Sequence, residues 1–251
     1  MAMNETINLA YMIKASRNIV VFTGAGVSTE SGVPDFRSPG GIWERYDPEV
    51  MTYQNFVSSA ECRSQYWQMY HECWHEFSSV KPNPAHHAIA ELENQGKLSA
   101  VITQNIDGLH QQAGNSPDKV LELHGTMWKI CCLECRAEYS IDKVIGLLDL
   151  GEVIPECPEC GGLLKPATIA FGQQMPLQVL EEAQRRSISC DLFISIGSSL
   201  VVQPAASLPP AAKEAGAALV IINLVPTPLD ILADLLIREK AGEVLKNALI
   251  Y

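Results

Sequence analysis

Short runs of apolar residues, many of them β-branched, recur along the chain and end in glycine or polar residues. They occupy residues 18–24, 99–104, 120–123, 191–197 and 217–223. Uninterrupted apolar runs of this length are typical of parallel strands that are buried on both faces. Stretches with helical spacing lie at residues 84–95, 176–187, 205–215 and 242–250. Strands that alternate with helices predict an α/β fold with a doubly wound parallel sheet.

Two segments interrupt this alternation. Residues 38–80 are rich in aromatic side chains, and residues 126–165 contain five of the eight cysteines. We interpret the two segments as excursions from the sheet domain that together form one smaller module beside it.

Charge and composition exclude several classes of protein. The chain of 251 residues has 18 Lys and Arg against 29 Asp and Glu, a net charge of −11. Proteins that bind nucleic acid or anionic lipid over their whole surface need an excess of basic residues, so we expect neither nucleic acid nor a membrane as a partner. The uncharged stretch 192–212 contains one glycine and three prolines, which favours a strand and a loop over a membrane helix.

The first 18 residues show no apolar core followed by a small-residue cleavage site, so no secretory signal is expected. The predicted location is therefore the cytoplasm, where thiols stay reduced. Cysteines in that compartment act as metal ligands, nucleophiles or buried apolar residues rather than as disulfides.

The spacing of four cysteines predicts a structural zinc site. Cys132-x-x-Cys135 and Cys157-x-x-Cys160 each form a pair that can direct two thiolates at one ion, and two such pairs complete a closed tetrahedral site. Four thiolates leave no open position for a reacting molecule, so the zinc is not expected to be catalytic. Cys131 is the weaker ligand candidate because it would lengthen the first gap. Two unrelated pairs of buried cysteines are the other interpretation.

A glycine-rich loop follows the first predicted strand, with the sequence Thr-Gly-Ala-Gly-Val-Ser-Thr at residues 23–29. Glycines in this position let a backbone approach a pyrophosphate at the N-terminus of a helix. The signal is weak by itself, because Thr29 replaces the third glycine of the dinucleotide-binding pattern and Glu44 follows loop-like sequence. A structural turn without a ligand stays open at this point.

A second motif of metal-ligating residues offers a different function for the chain. His71-Glu72-x-x-His75 is a His-Glu-x-x-His sequence, which on a helix would bind zinc through two imidazoles with Glu72 as general base, as in a metalloprotease. No third ligand follows at the usual spacing, although Glu91 or Glu93 could serve. A plain helix with both histidines on its exposed side is the other interpretation.

Polar clusters follow three of the predicted strands, at residues 104–107, 124–125 and 197–199, and Asn223 ends a fourth. The carboxyl ends of the strands line the ligand crevice of a doubly wound sheet, so these clusters are expected to converge. His124 is the candidate general base of that crevice, with Asn105 and Asp107 nearby.

Taken together, these motifs resemble the sirtuins, the NAD-dependent protein-lysine deacylases of the Sir2 family. The resemblance rests on residues 24–37, 103–107, 123–125, 197–200, 204–205 and 222–224 and on the two cysteine pairs. It implies a Rossmann-like domain, expected at residues 1–37, 81–125 and 166–251. It also implies a small module with a helical part at 38–80 and a zinc-ribbon part at 126–165.

The resemblance also assigns roles to residues. His124, Asn105 and Asp107 would be catalytic, and Ile169, Phe171 and Gly172 would contact the acyl-lysine peptide. Together with the glycine loop, the residues expected to bind NAD are Gly24, Ala25, Gly26, Thr29, Asp35, Phe36, Arg37, Gln104, Asn105, Ile106, Asp107, His124, Gly197, Ser198, Ser199, Asn223, Leu224 and Ala241.

The mechanism that the resemblance implies begins with attack of the acyl oxygen on the ribose C1′ and loss of nicotinamide. His124 then takes a proton from a ribose hydroxyl, and lysine and O-acyl-ADP-ribose are the products. Ala170 and Gln173 depart from the family pattern beside the peptide. The chain also lacks the Tyr-x-x-Arg of relatives that prefer acidic acyl groups, which predicts a neutral group such as acetyl. A protein mono-ADP-ribosyltransferase on the same fold, a zinc-module adaptor and the His71/His75 metalloprotease are the alternatives.

Overall fold

The structure, a computed structural model, describes residues 2–35 and 41–250. Its helices are α1 (Ala2–Ala15), α2 (Ile42–Arg45), α3 (Tyr53–Ser58), α4 (Ala60–Phe77), α5 (Pro84–Asn94), α6 (Leu109–Ala113), α7 (Ile141–Asp149), α8 (Leu177–Ser189), α9 (Leu208–Glu214) and α10 (Ala241–Ala248). Its strands are β1 (Ile19–Thr23), β2 (Leu98–Thr103), β3 (Val120–Glu122), β4 (Gly125–Cys132), β5 (Glu138–Ser140), β6 (Leu164–Thr168), β7 (Leu192–Ile196), β8 (Ala218–Ile222) and β9 (Leu235–Ile237).

Six strands form one parallel sheet in the order β3-β2-β1-β7-β8-β9. The order reverses between β1 and β7, which is the switch point of a doubly wound sheet. The predicted fold class is thereby confirmed, and five of the six strands coincide with the apolar runs. The sixth, β9, was not predicted, because three residues at the edge of a sheet leave too short a pattern.

Alternate residues of the strands point to opposite faces of the sheet, and both faces are buried. Ile19 and Val21 pack with α1, α5 and α10 on one face. Val20 and Phe22 pack with residues of α8 and α9 on the other. Burial on both faces explains why the strands have continuous apolar sequences.

The four stretches predicted as helices correspond to α5, α8, α9 and α10, whereas α6 and α7 were not predicted. Helix α1 was not predicted, although Leu9 and Ile13 bury its inner side. The stretch 205–215 begins as a 3-10 turn before α9, whose first residues include Pro209 and Pro210. Proline is tolerated there because the first amides of a helix have no partner inside it.

The glycine loop after β1 does not lead into an α-helix. It continues as two 3-10 turns, Ala25–Val27 and Thr29–Ser31, and Gly32 ends the second with a φ of 92°. The expected helix N-terminus for a pyrophosphate is therefore absent from this part of the described chain. Two successive short turns orient the backbone amides of the loop instead.

The two interrupting segments share a hydrophobic core. Strands β5, β4 and β6 form a small antiparallel sheet. Tyr66, Trp67 and Trp74 of α4 belong to the same buried cluster as Ile130 of β4 and Val144 of α7. The residue boundaries of the two domains stay a prediction.

Within residues 2–35 and 41–250, no helix is long and apolar enough to cross a bilayer. The uncharged stretch 192–212 consists of β7, a loop, a 3-10 turn and the start of α9. The prediction of a strand and a loop for this stretch is confirmed.

Candidate active site

A cleft of about 730 Å³ opens at the carboxyl ends of the parallel strands. Three of its walls come from the loops after β1, β2 and β7, and a fourth comes from the segment after β6. Its volume lies within the range of about 300–1,000 Å³ that is usual for small-molecule and cofactor sites. The polar clusters that were expected to converge therefore do meet in one place.

Most of the predicted site residues line this cleft. They are Gly24, Ala25, Gly26, Thr29, Asp35, Gln104, Asn105, Ile106, His124, Ile169, Phe171, Gly172, Gly197, Ser198, Ser199, Asn223, Leu224 and Ala241. Asp107 lies behind the lining, and Phe36 and Arg37 fall outside the described residues.

The glycine loop packs directly against the loop after β7. The backbone N–H of Gly26 donates to the carbonyl of Gly197 at 2.9 Å, and Gly24 N–H donates to Ile196 at 3.0 Å. A Cβ on Gly26 would lie 2.7 Å from the Gly197 Cα, and one on Gly24 would lie 2.8 Å from the Gly197 oxygen. Both glycines are therefore required by the approach of two backbone segments, in addition to any approach by a ligand.

His124 is held in one tautomer by the backbone. Its Nδ1 lies 2.9 Å from the carbonyl oxygen of Gln104, which can only accept a hydrogen bond, so Nδ1 carries the proton. Nε2 of the neutral ring then has a free lone pair. Burial lowers the pKa of His124 from its usual 6.5, against the opposing effect of the Gln104 carbonyl. The ring is thus neutral near pH 7, as a general base requires.

Asn105 and Asp107 are joined through Ser28. Ser28 Oγ donates to Asp107 Oδ2 at 2.7 Å and accepts from Asn105 Nδ2 at 3.1 Å. The second carboxylate oxygen of Asp107 accepts from the backbone N–H of Leu109 at 3.0 Å. Burial raises the pKa of Asp107, and the Leu109 and Ser28 hydrogen bonds oppose that rise. In this conformation the carboxylate orients Ser28, while Asn105 reaches the cleft.

Ser28 is a residue of this site that the sequence did not single out. It lies in the glycine loop, but only the fold brings it to Asp107, 79 residues away. No periodic pattern in the sequence sets Ser28 apart from the other polar residues of the loop. Tyr66 and Met69 of α4 also line the cleft and were assigned no role in it.

The segment after β6 forms the wall of the cleft at which the peptide was predicted to bind. Ile169 N–H donates to the His124 carbonyl at 2.8 Å, which places this segment beside His124. Gln173 Oε1 accepts from Ala170 N–H at 3.1 Å. The glutamine that departs from the family pattern therefore closes the turn that begins at Ala170.

The four predicted zinc ligands form one cluster. The Sγ atoms of Cys132 and Cys160 are 3.6 Å apart, and those of Cys135 and Cys157 are 3.7 Å apart. All four lie within 4.8 Å of one another. Tetrahedral zinc with Zn–S bonds of about 2.3 Å separates its sulfurs by about 3.8 Å, so the thiols fit that ion. Cys131 is not in the cluster, which agrees with its lower ranking as a ligand.

The His71/Glu72/His75 motif lies on α4, outside the cleft. Glu72 accepts from the Tyr46 hydroxyl at 2.5 Å and from Gln68 at 3.1 Å, so both of its carboxylate oxygens are engaged. Neither Glu91 nor Glu93 joins the two histidines, whereas Asp149 of α7 does. The motif thus has a third potential ligand but lacks a free carboxylate to act as general base.

A doubly wound sheet with a ligand cleft at its switch point and a four-thiol zinc module defines a class of dinucleotide-binding proteins with an attached zinc ribbon. The family model of the Sir2 family matches residues 24–204. The chain belongs to the Sir2 family, and the resemblance noted from its motifs is confirmed.

Curated relatives cover nearly the whole chain. An NAD-dependent protein deacetylase of Thermodesulfovibrio yellowstonii is 46% identical over 98% of this chain and 95% of its own length. An NAD-dependent protein deacylase of Archaeoglobus fulgidus is 46% identical over 96% of this chain and 94% of its own length.

Solved structures agree in fold. A Sir2 enzyme described for its mechanism and regulation matches with a TM-score of 0.88 at 45% identity, covering 98% of this chain and 96% of its own. A Sir2 protein solved with a p53 peptide and NAD+ matches with a TM-score of 0.89 at 38% identity, covering 100% of this chain and 98% of its own.

Proposed function

We propose that this protein is an NAD-dependent protein-lysine deacylase that transfers the acyl group to ADP-ribose and releases nicotinamide. The observation that carries the proposal is the state of His124. A neutral imidazole with its Nδ1 proton held by the Gln104 carbonyl presents a basic Nε2 in the cleft where the strand ends converge. The Sir2 relatives named above support the same reaction.

NAD fits the residues of the cleft. Ser198, Ser199 and Asn223 supply hydrogen-bonding side chains at one end, and the glycine loop supplies close backbone at the centre. When bound there, NAD supplies the ribose carbon from which nicotinamide leaves and to which the acyl oxygen adds. The remaining chemistry is assigned to residues of this chain.

Gln104, Asn105 and Ser28 are proposed to position the nicotinamide ribose, the part of NAD that reacts. Gln104 Oε1 accepts from Ser198 Oγ at 2.8 Å, so the loops after β2 and β7 are joined at the floor of the cleft. Asp107 holds Ser28, and Ser28 in turn holds the amide of Asn105. We propose that this chain of contacts orients Asn105 toward the nicotinamide ribose, while Nε2 of His124 accepts the proton of a ribose hydroxyl.

We also propose a neutral acyl group, acetyl in the first instance. Met69 follows Tyr66 by three residues and lines the cleft, where relatives that prefer acidic groups have an arginine. A thioether gives no hydrogen bond and no charge to a carboxylate. The Tyr66 hydroxyl is 3.1 Å from Thr168 Oγ1, which holds it against the wall of the cleft. The acyl-lysine peptide is proposed to contact Ile169, Phe171 and Gly172.

The test is nicotinamide release, measured with NAD alone, with an acetyl-lysine peptide alone and with both. Release is expected only with both substrates, and acetyl peptide is expected to react faster than succinyl peptide. His124→Ala is expected to lower turnover by about 100- to 10,000-fold, the usual contribution of a positioned base. Its affinity for NAD should stay within a few fold of the wild type, since the other residues of the cleft that are proposed to bind the dinucleotide are unchanged.

His87→Ala is the matched control, because His87 is an exposed histidine of α5 that does not line the cleft. It should leave turnover unchanged. Retained turnover in His124→Ala would contradict the assignment of His124 as the general base. NAD with an isotopic label in its ADP-ribose part distinguishes deacylation from protein mono-ADP-ribosyl transfer. Label in a small product supports deacylation, and label on protein supports transfer.

The absence of nucleic acid and membrane partners and the cytoplasmic location stay predictions from charge and cysteine use. Co-fractionation of the tagged protein with cytosolic markers is the measurement that checks the location.

A further inference from the structure

Three metal-ligating side chains meet on the small module at a place that the proposed reaction does not use. They are His71 and His75 of α4 and Asp149, the last residue of α7. None of the three lines the cleft, and none belongs to the cysteine cluster.

The three ligand atoms form a nearly equilateral triangle. His71 Nε2 is 2.7 Å from Asp149 Oδ1, His75 Nε2 is 3.1 Å from the same oxygen, and the two Nε2 atoms are 3.1 Å apart. Two ligands at right angles on a metal, with bonds of about 2.1 Å, are separated by about 3.0 Å. The triangle therefore matches one face of an octahedron around a divalent transition metal, with the other positions open to solvent.

The geometry is set by packing and not by the three side chains alone. Histidines four residues apart lie on one side of a helix, one turn above each other. Asp149 comes from a helix 74 residues away. Trp67 of α4 and Val144 of α7 belong to one buried cluster, so both helices are anchored in the same core. The ligands are thus preorganised, which reduces the ordering that binding requires.

The charge at this place favours a cation. The C-terminal end of a helix carries partial negative charge, and Asp149 adds a carboxylate to it. Among the residues that the structure describes, the ion pairs of Asp149 are with His71 and His75, and none is with lysine or arginine. All three side chains are accessible, at 29%, 55% and 48% of their full exposure for His71, His75 and Asp149. An ion from solution can reach them.

We propose that His71, His75 and Asp149 form a second metal site, specific for divalent cations that accept imidazole and carboxylate, such as Zn²⁺, Co²⁺ and Ni²⁺. The bound ion joins α4 to α7 and so links the helical part of the small module to its zinc-ribbon part. Because Glu72 is engaged by Tyr46 and Gln68, the site is structural or regulatory and not that of a protease.

The experiment uses the purified full chain with its cysteine site already filled with zinc. Co²⁺ is titrated in by calorimetry, and the metal bound per chain is counted by mass spectrometry after gel filtration. The wild type is expected to bind one further equivalent, without the thiolate charge-transfer absorption that Co²⁺ in the cysteine site would give. His75→Ala and Asp149→Asn are expected to bind it at least about 100-fold more weakly, since even loss of a group behind a ligand costs about 10- to 100-fold.

His87→Ala again serves as the control, and it should bind the further equivalent as the wild type does. A second measurement does not depend on the variants. The melting temperature of the wild type should rise by about 5–10 °C when Zn²⁺ is about 100-fold above its dissociation constant, and that of His75→Ala should rise much less. Absence of a further equivalent in the wild type overturns the proposal. So does undiminished binding in Asp149→Asn.

Discussion

The contact between Gly26 and Gly197 gives a sharp test of how the cleft is built. Gly26→Ala adds one methyl group at a position whose backbone does not have positive φ, so the change introduces no dihedral strain. The added Cβ would lie 2.7 Å from the Gly197 Cα and 2.8 Å from the Gly197 oxygen. Both neighbours are backbone atoms and cannot rotate away, so the two loops must separate.

The expected cost follows from two contributions. Overpacking of a rigid site costs about 1–3 kcal/mol, and loss of the Gly26 to Gly197 hydrogen bond costs about 1 kcal/mol. The free energy of unfolding should fall by roughly 2–4 kcal/mol, which lowers the melting temperature by about 4–16 °C in a chain of this size. A displacement of about 1 Å in a binding loop can cost about 100-fold in catalysis, so kcat/KM for NAD should fall by a comparable factor.

Differential scanning fluorimetry and steady-state nicotinamide release measure the two effects. Gly146→Ala is the matched control, since Gly146 lies inside α7 with no atom within 4 Å of an added Cβ. It is expected to be neutral or to stabilise by up to about 1 kcal/mol through helix propensity. If Gly26→Ala melts like the wild type and uses NAD equally well, the two loops are not in contact and the account of the cleft is wrong.

Three further predictions concern the base, the zinc and a buried lysine. Burial lowers the pKa of His124 below 6.5. As the pH is lowered, kcat/KM should therefore decline only below pH 6.5. A decline centred above pH 6.5 would contradict the assignment of His124 as the base. Cys132→Ser should lose the zinc and unfold the ribbon, whereas Cys131→Ser should keep one zinc per chain by mass spectrometry; equal zinc in both variants would refute the ligand set. Burial lowers the pKa of Lys165 from 10.5 to about 8. Between those values the unfolded chain binds more protons, so the wild type should gain about 3 kcal/mol of stability relative to Lys165→Met as pH rises from 8 to 10.5. Denaturant unfolding at both pH values measures that gain, and parallel curves for the two proteins would contradict it.

Features that depend on neighbours in the sequence were predictable. The strands β1, β2, β7 and β8 have continuous apolar runs because both faces of the sheet are buried. Cys132 and Cys135 are close because a tight turn separates them, so their spacing indicates a metal before any fold is known. His124 could be singled out because it follows a strand, and strand ends of a parallel sheet meet at one edge.

Features that depend on long-range packing could not be predicted from the sequence. The sequence gives no sign that Asp149 lies against His71 and His75, since four strands lie between α4 and α7 in the chain and the shared core decides how the two helices meet. Glu91 and Glu93, the third ligands that the sequence offers, are nearer to the histidines in sequence than Asp149 but do not join them in the structure.

The sequence by itself determined the doubly wound sheet, the zinc module and the family, because periodicity, cysteine spacing and contiguous motifs are local properties of the chain. Only the tertiary structure decided which groups touch. It put Gly26 against Gly197, placed Ser28 between Asn105 and Asp107, and held the Nδ1 proton of His124 on a backbone carbonyl. Such contacts join residues tens of positions apart, and their distances follow from the packing of the whole core rather than from any local pattern.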